Sequence, residues 1–291
     1  MQQTNKKGLI TALSCYFIWG LLPIYWGLLH HISAYSVLAH RIIWSALFMS
    51  FVAIGLNYQQ FKKDCIHLKQ NISQLGLLIL ASIFVSSNWG LYIWAISNNR
   101  VMDTSFGYYI NPLLNVVLGV LIFKEKLTFP QWCSVGLATI GIIFISLQMG
   151  STPDLALAIA LTFGLYGLVK KKLLIHPFTS IAFEAWLVAP LALAYTTYID
   201  ASSWTAFQND SYTAALFVIS GLTTSAPLVL FTYGARLLPL NLLGFLQYLS
   251  PTIALLIAIF YFSESFDTNK MISFSFIWVA LGIYTASNYT K

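Results

Sequence analysis

The sequence predicts an all-α membrane protein of ten transmembrane helices in two inverted five-helix repeats, with both termini cytoplasmic. Three observations predict it. Apolar runs of about 20 residues, the length needed to cross hydrocarbon, fill most of the 291-residue chain. The basic residues gather on alternate connecting segments, and the second half repeats part of the first at a constant offset. Composition agrees: 58% of residues are hydrophobic and 8% charged, against roughly 25% charged in soluble domains. So little polar surface cannot clothe a soluble globule.

The first apolar run, residues 8 to 29, follows Lys6 and Lys7 but carries no small-residue cleavage site, and further spans follow it. It is read as retained rather than as a signal peptide. The next spans cover residues 34 to 57, 75 to 97, 102 to 123 and 129 to 148. A second set covers 153 to 170, 178 to 198, 211 to 235, 240 to 262 and 271 to 288. These sets divide the chain into repeats 1–150 and 151–291. The formal charge of +6 is spread over short loops beside the spans, so it sets topology, with the lipid bilayer as partner and no nucleic acid implied. Cys15, Cys65 and Cys133 are far apart, without metal or redox spacing, and are read as free thiols.

With the N-terminus inside, Lys6, Lys7, Lys62, Lys63, Lys69, Lys124, Lys126, Lys170, Lys171, Lys172, Arg236 and Lys291 are cytoplasmic, twelve of the fifteen basic residues. Arg100 and Lys270 fall outside and Arg41 lies within a span, a clear positive-inside bias. The repeat, at an offset of 139 residues, pairs Leu91/Leu230, Trp94/Tyr233, Ala95/Gly234, Tyr109/Tyr248, Pro112/Pro251, Phe123/Phe262 and Glu125/Glu264. Five spans per half make the second copy enter the membrane with opposite polarity. Inverted repeats place a site near the midplane and allow rocking between two openings, the architecture of a carrier.

Pro112 and Pro251 are repeat equivalents and are expected to break spans four and nine, freeing backbone carbonyls inside the protein. Tyr108, Asn111 and Asn115 share one face of span four. Gln247 and Ser250 lie on the corresponding face of span nine. Such groups facing lipid would cost free energy, so these faces turn inward, either to line a cavity or to bond between helices. Asn88, a buried amide one turn from Tyr92, belongs with them.

Arg41 is the one basic residue inside a hydrophobic run, at a cost of at least about 2.5–3.5 kcal/mol. It is read either as orienting a polar or anionic group of a substrate or as a snorkelling, carbonyl-capping arginine. Glu184 is its counterpart by a local match, Ala39, His40 and Arg41 against Ala182, Phe183 and Glu184. Inversion leaves about 10 Å of depth between the two charges, so a direct ion pair is not expected. Glu184 is a candidate for proton coupling, since burial favours a neutral carboxyl; His40 is a second candidate, against the plainer reading of a structural hydrogen bonder. Ala156, Ala160 and Gly164 form a smooth ridge on span six for close helix packing. No Walker loop, metal-spaced cluster or HExxH is present, so no cofactor, metal site or enzymatic activity is expected.

The segments YFIWGLLPIYW (16 to 26), AHRIIWS (39 to 45), NWGLYIWA (88 to 95), SFGYYINPLLNVVLG (105 to 119), YGLVKKK (166 to 172), LGFLQYLSPT (243 to 252) and FIWVALGIY (276 to 284) resemble the RarD, or chloramphenicol-sensitive protein, family. That family lies in the EamA branch of the drug/metabolite transporter superfamily, and the resemblance runs over nearly the whole chain. It implies a multi-pass carrier of a bacterial inner membrane whose central cavity draws helices from both halves. Arg41, Asn88, Tyr108, Asn111 and Gln247 fall in matched segments, but no motif identifies a ligand. The expected function is export of a small amphipathic molecule, such as an amino acid or a chloramphenicol-like compound. Uptake by the same fold and a receptor or assembly subunit that moves nothing are the alternatives, and a homodimer stays open.

Overall fold

A computed structural model of the chain describes residues 5–98, 100–149, 154–262 and 268–289. Glu264, Lys291 and the repeat boundary at 150/151 lie outside the described residues. Within them the chain is helical. Helix α1 spans Lys6–Gly27, α2 Ala34–Ser50, α3 Tyr58–Gln70, α4 Ile72–Ser97, α5 Val101–Phe123 and α6 Phe129–Met149. The second series is α7 Asp154–Lys172, α8 Pro177–Ala194, α9 Ser202–Asn209, α10 Ser211–Leu237, α11 Leu240–Gln247, α12 Leu249–Phe260 and α13 Thr268–Tyr289. Seven stretches, in α1, α2, α4, α5, α8, α10 and the α11–α12 pair, are long and apolar enough to cross a membrane. Shorter apolar stretches lie in α6 and α13, and α7 ends in Lys170, Lys171 and Lys172. Leu121 and Leu191 stay 69% and 72% exposed, as lipid-facing side chains do.

Helix termini are satisfied locally. The Asn5 side chain accepts from the Lys7 and Gly8 amides, and that of Asp210 from the Tyr212 and Thr213 amides. Helix α5 ends on Lys124 in the left-handed conformation, with φ 53°, and the Glu125 amide returns to the Gly119 carbonyl at 3.1 Å. That turn aims the Glu125 carboxylate at the Leu240 and Asn241 amides, at 2.7 and 2.9 Å, where it caps α11.

The packing runs in matched pairs. Helix α7 packs on α4 and α5, and α1 packs on α10 and α12. Helices α2 and α8, α5 and α11, and α6 and α13 pack on one another. Two close approaches correspond residue by residue. A Cβ on Gly20 would meet Ile253 Cβ at 2.6 Å, and one on Gly164 would meet Leu114 Cδ2 at 2.9 Å, with Leu114 and Ile253 separated by the repeat offset of 139. Ala156, Ala160 and Gly164 pack against α5, where a Cβ on Gly107 would lie 2.9 Å from the Ala156 carbonyl.

Two features go beyond the spans expected from hydropathy. Helices α2 and α8 each end in a π-helical turn, Phe51–Leu56 and Tyr195–Ile199, a geometry that recurs at functional sites. Each turn leads into a short helix, α3 or α9. The expected pair of breaks is also only half made. At Pro251 the helix stops at Gln247 and restarts at Leu249, bridged by the Tyr248 amide on the Phe245 carbonyl at 3.2 Å. Helix α5 runs without interruption through Pro112. There the neighbouring Tyr109 carbonyl receives the Tyr248 hydroxyl at 3.3 Å, so a donor from α11–α12 supports α5 beside its proline.

Candidate functional site

Helices α1, α2, α4 and α5 converge on Arg41. Its guanidinium carbon lies 4.8 Å from the Trp89 ring centroid and 5.4 Å from that of Trp26. Tyr92 and Tyr108, with ring centroids 5.9 Å apart, are its polar neighbours. Among the described residues no carboxylate pairs with Arg41 and no hydrogen bond reaches it, and its Nε is buried. Cation–π contact with two tryptophans stabilises the charge by about 0.5–2 kcal/mol each, but it leaves the five N–H donors unused. Among the described residues the arginine caps no carbonyl, and Trp26, Trp89 and Tyr92 stand around it beside Tyr108.

Glu184 has a different environment. Its Oε1 accepts from Lys170 Nζ and Ser180 Oγ, each at 2.6 Å, and its Oε2 from the Tyr166 hydroxyl at 3.0 Å. Lys170 and Tyr166 are 0% exposed and Glu184 is 4% exposed. Lys170 is thus a buried counterion to Glu184, which corrects its reading as a cytoplasmic topology charge. The clue lies in the spacing, since Tyr166 and Lys170 stand one helical turn apart on the face of α7 that meets Glu184. Trp89 divides the two charged sites. It touches Arg41 and also lines, with Ile42, Ser45, Val85 and Glu184, a small cavity of about 10 Å³, about the space of one water.

The remaining expected residues separate into groups. Asn88 Nδ2 donates to the Ile159 carbonyl at 2.8 Å and to Thr162 Oγ1 at 3.1 Å, joining α4 to α7. Asn111 Nδ2 donates to the Ala160 carbonyl at 2.7 Å, and Asn115 Nδ2 bridges Asn111 Oδ1 and Gln247 Oε1, both at 3.1 Å. This amide chain ties α7, α5 and α11 together at the crossing where a Cβ on Gly244 would lie 2.6 Å from the Pro112 carbonyl. Ser250 sits in the first turn of α12, outside that chain. His40 does not partner Arg41. It stacks on Phe217 at 3.9 Å between ring centroids and meets Trp204 of α9, with both ring nitrogens unpartnered.

Two carboxylates tie α2 and α8 at opposite ends. Asp64 of α3 accepts from the His176 amide at 3.1 Å and from Thr179 Oγ1 at 2.6 Å, at the N-terminal turn of α8. Asp200, where the π-helical turn after α8 ends, accepts from the Ser36 hydroxyl in the first turn of α2 and from Ser202. Ser36 and Thr179 are equivalent in the register that matches Arg41 with Glu184. The Ser202 and Ser36 hydroxyls hold the Asp200 carboxyl below its usual range.

Comparison with known proteins places the chain in a family. Residues 6–147 match the model of the EamA-like transporter family. An uncharacterized transporter of Bacillus subtilis, YojE, is 42% identical over 97% of this chain and 95% of its own. Protein RarD of Escherichia coli is 37% identical over 96% of this chain and 94% of its own. A solved crystal structure aligns with a TM-score of 0.74, covering 96% of this chain and 97% of that chain, at 13% identity, a likeness of fold alone.

Proposed function

We propose that this chain, which belongs to the EamA-like transporter family, is a secondary exporter of small amphipathic metabolites or drugs, working by alternating access in a bacterial inner membrane. In this reading ten spans cross the membrane as two inverted repeats, 1–150 and 151–291, with both termini in the cytoplasm. The observation that carries it is the pair of carboxylate latches. Asp64 ties the N-terminal turn of α8 and Asp200 that of α2, at opposite ends of two helices packed on each other. A carrier needs one gate per face, and inversion of a single device supplies both. The matched approaches at Gly20 and Gly164 support the same inversion.

The substrate path runs past Arg41, Tyr108 and Asn88, with Asn111, Asn115, Gln247 and Ser250 along the seam between halves and the break at Pro251 as its flexible point. Glu184 couples through its ion pair, since a proton delivered to the carboxylate releases Lys170. His40, enclosed by Phe217 and Trp204, is the second candidate for proton coupling. Flux of labelled chloramphenicol and amino acids into and out of liposomes holding the purified protein tests the reading. Movement that depends on the protein and falls in Arg41→Ala, at unchanged folding, supports it. No protein-dependent flux of any compound in either direction would sink it.

A further inference from the structure

The substrate class can be narrowed by comparing the two halves, an argument that rests on the carrier reading above. Gly20 and Gly164 make corresponding approaches to Ile253 and Leu114. In that register Trp26 of α1 corresponds to Lys170 of α7, and a register one residue shorter matches Arg41 of α2 with Glu184 of α8. The second half therefore fills the position beside its buried charge with a counterion, 2.6 Å from Glu184. The first half fills the same position with an indole, 5.4 Å from Arg41. One charge is neutralised within the chain and the other is left for a ligand.

We propose that the Arg41 site takes an aromatic monoanion, a carboxylate on a flat apolar body, in preference to a zwitterion or a neutral molecule. The guanidinium offers a forked donor that matches a carboxylate, and charge-assisted pairs of this kind are the strong ones. Trp26, Trp89, Tyr92 and Tyr108 offer ring surface for the body of the ligand. An α-ammonium group finds no carboxylate to neutralise it, only phenol oxygens and ring faces that the guanidinium already shares. No carboxylate pairs with Arg41 among the described residues, and Glu184, beyond Trp89, is occupied by Lys170, Ser180 and Tyr166.

The test uses the full-length protein in detergent, with indole-3-acetate as the anion, its methyl ester as the neutral match and tryptophan as the zwitterion. Thermal unfolding and isothermal titration calorimetry report binding. Indole-3-acetate is expected to bind at least about tenfold more tightly than either other compound. Arg41→Gln should weaken it by about 10- to 100-fold, the loss of a charged hydrogen-bonded pair, while Arg41→Lys gives an intermediate affinity. Equal binding of the ester or of tryptophan, no binding of indole-3-acetate, or undiminished binding to a folded Arg41→Gln each overturns the proposal. Those results leave the carrier reading standing wherever liposome flux of another compound persists; loss of all flux removes that reading instead.

Discussion

Arg41 and Glu184 show how one kind of position, a charge inside an apolar helix, is resolved in two ways. A buried pair stabilises little compared with an apolar core, but removing one partner strands the other. Lys170→Met is therefore expected to destabilise the protein by about 3–5 kcal/mol. Adding Glu184→Gln should recover most of the loss, because an amide tolerates the Ser180 and Tyr166 donors without a counterion. Unfolding of both variants in detergent checks this, and a single variant as stable as wild type would show that the pair is not buried in solution. At Arg41 the expectation has the opposite sign. Removing a buried charge that no carboxylate neutralises gives up the two tryptophan contacts but also relieves its desolvation, so Arg41→Gln should unfold near the wild-type temperature while losing transport.

Among the elements, the two prolines make unequal contributions. Pro251→Ala returns an N–H able to reach the Gln247 carbonyl, fusing α11 and α12 across Tyr248, and should lower the transport rate while raising thermal stability. Pro112→Ala lies in a helix that is already continuous and should change both far less. Equal effects in the flux assay would remove the break as a hinge. The latches also predict opposite outcomes. Hydrogen bonds to a carboxylate contribute about 1.5–3 kcal/mol, so Asp64→Asn and Asp200→Asn should each shift the balance of conformations about tenfold or more, toward opposite faces. Labelling of single cysteines near each end of α2 and α8 reads the direction, and a shift to the same face in both variants refutes the mirrored gates.

The Asp200 latch adds a pH dependence. Its folded-state pKa lies below the usual carboxyl value, so the stabilisation is complete above that usual value and is lost only as pH falls through the depressed one. Accessibility at the Asp200 end should accordingly hold steady above the ordinary carboxylate range, begin to rise as pH falls through it, and level off once pH is below the depressed value.

For the whole molecule, twelve basic residues were counted to the inside from sequence. Lys170 leaves that count, and the remaining bias of eleven to two is what the expected orientation rests on. Reporter domains fused to the two termini should both report the cytoplasm; opposite sides would mean an odd number of spans and end the inverted-repeat reading. Much of this scale is legible in the chain itself, because hydrocarbon selects segments by length and apolarity, quantities that need no partner. The apolar spans, the family, the ridge of Ala156, Ala160 and Gly164, and the strangeness of Arg41 all belong to that class. So does helix α3 in retrospect, through the helical stripe of Tyr58, Phe61, Cys65 and Leu68. What Arg41 and Glu184 face is a different matter. The indole and the ammonium beside them come from other helices, and packing alone brings them together. The same holds for Pro112 and Pro251, equivalent in the repeat and opposite in outcome: α5 continues through the first, and the helix parts beside the second. Hydropathy acts on each segment separately and so is written in the sequence; neutralisation and hydrogen bonding act between segments, and only the tertiary structure decides them.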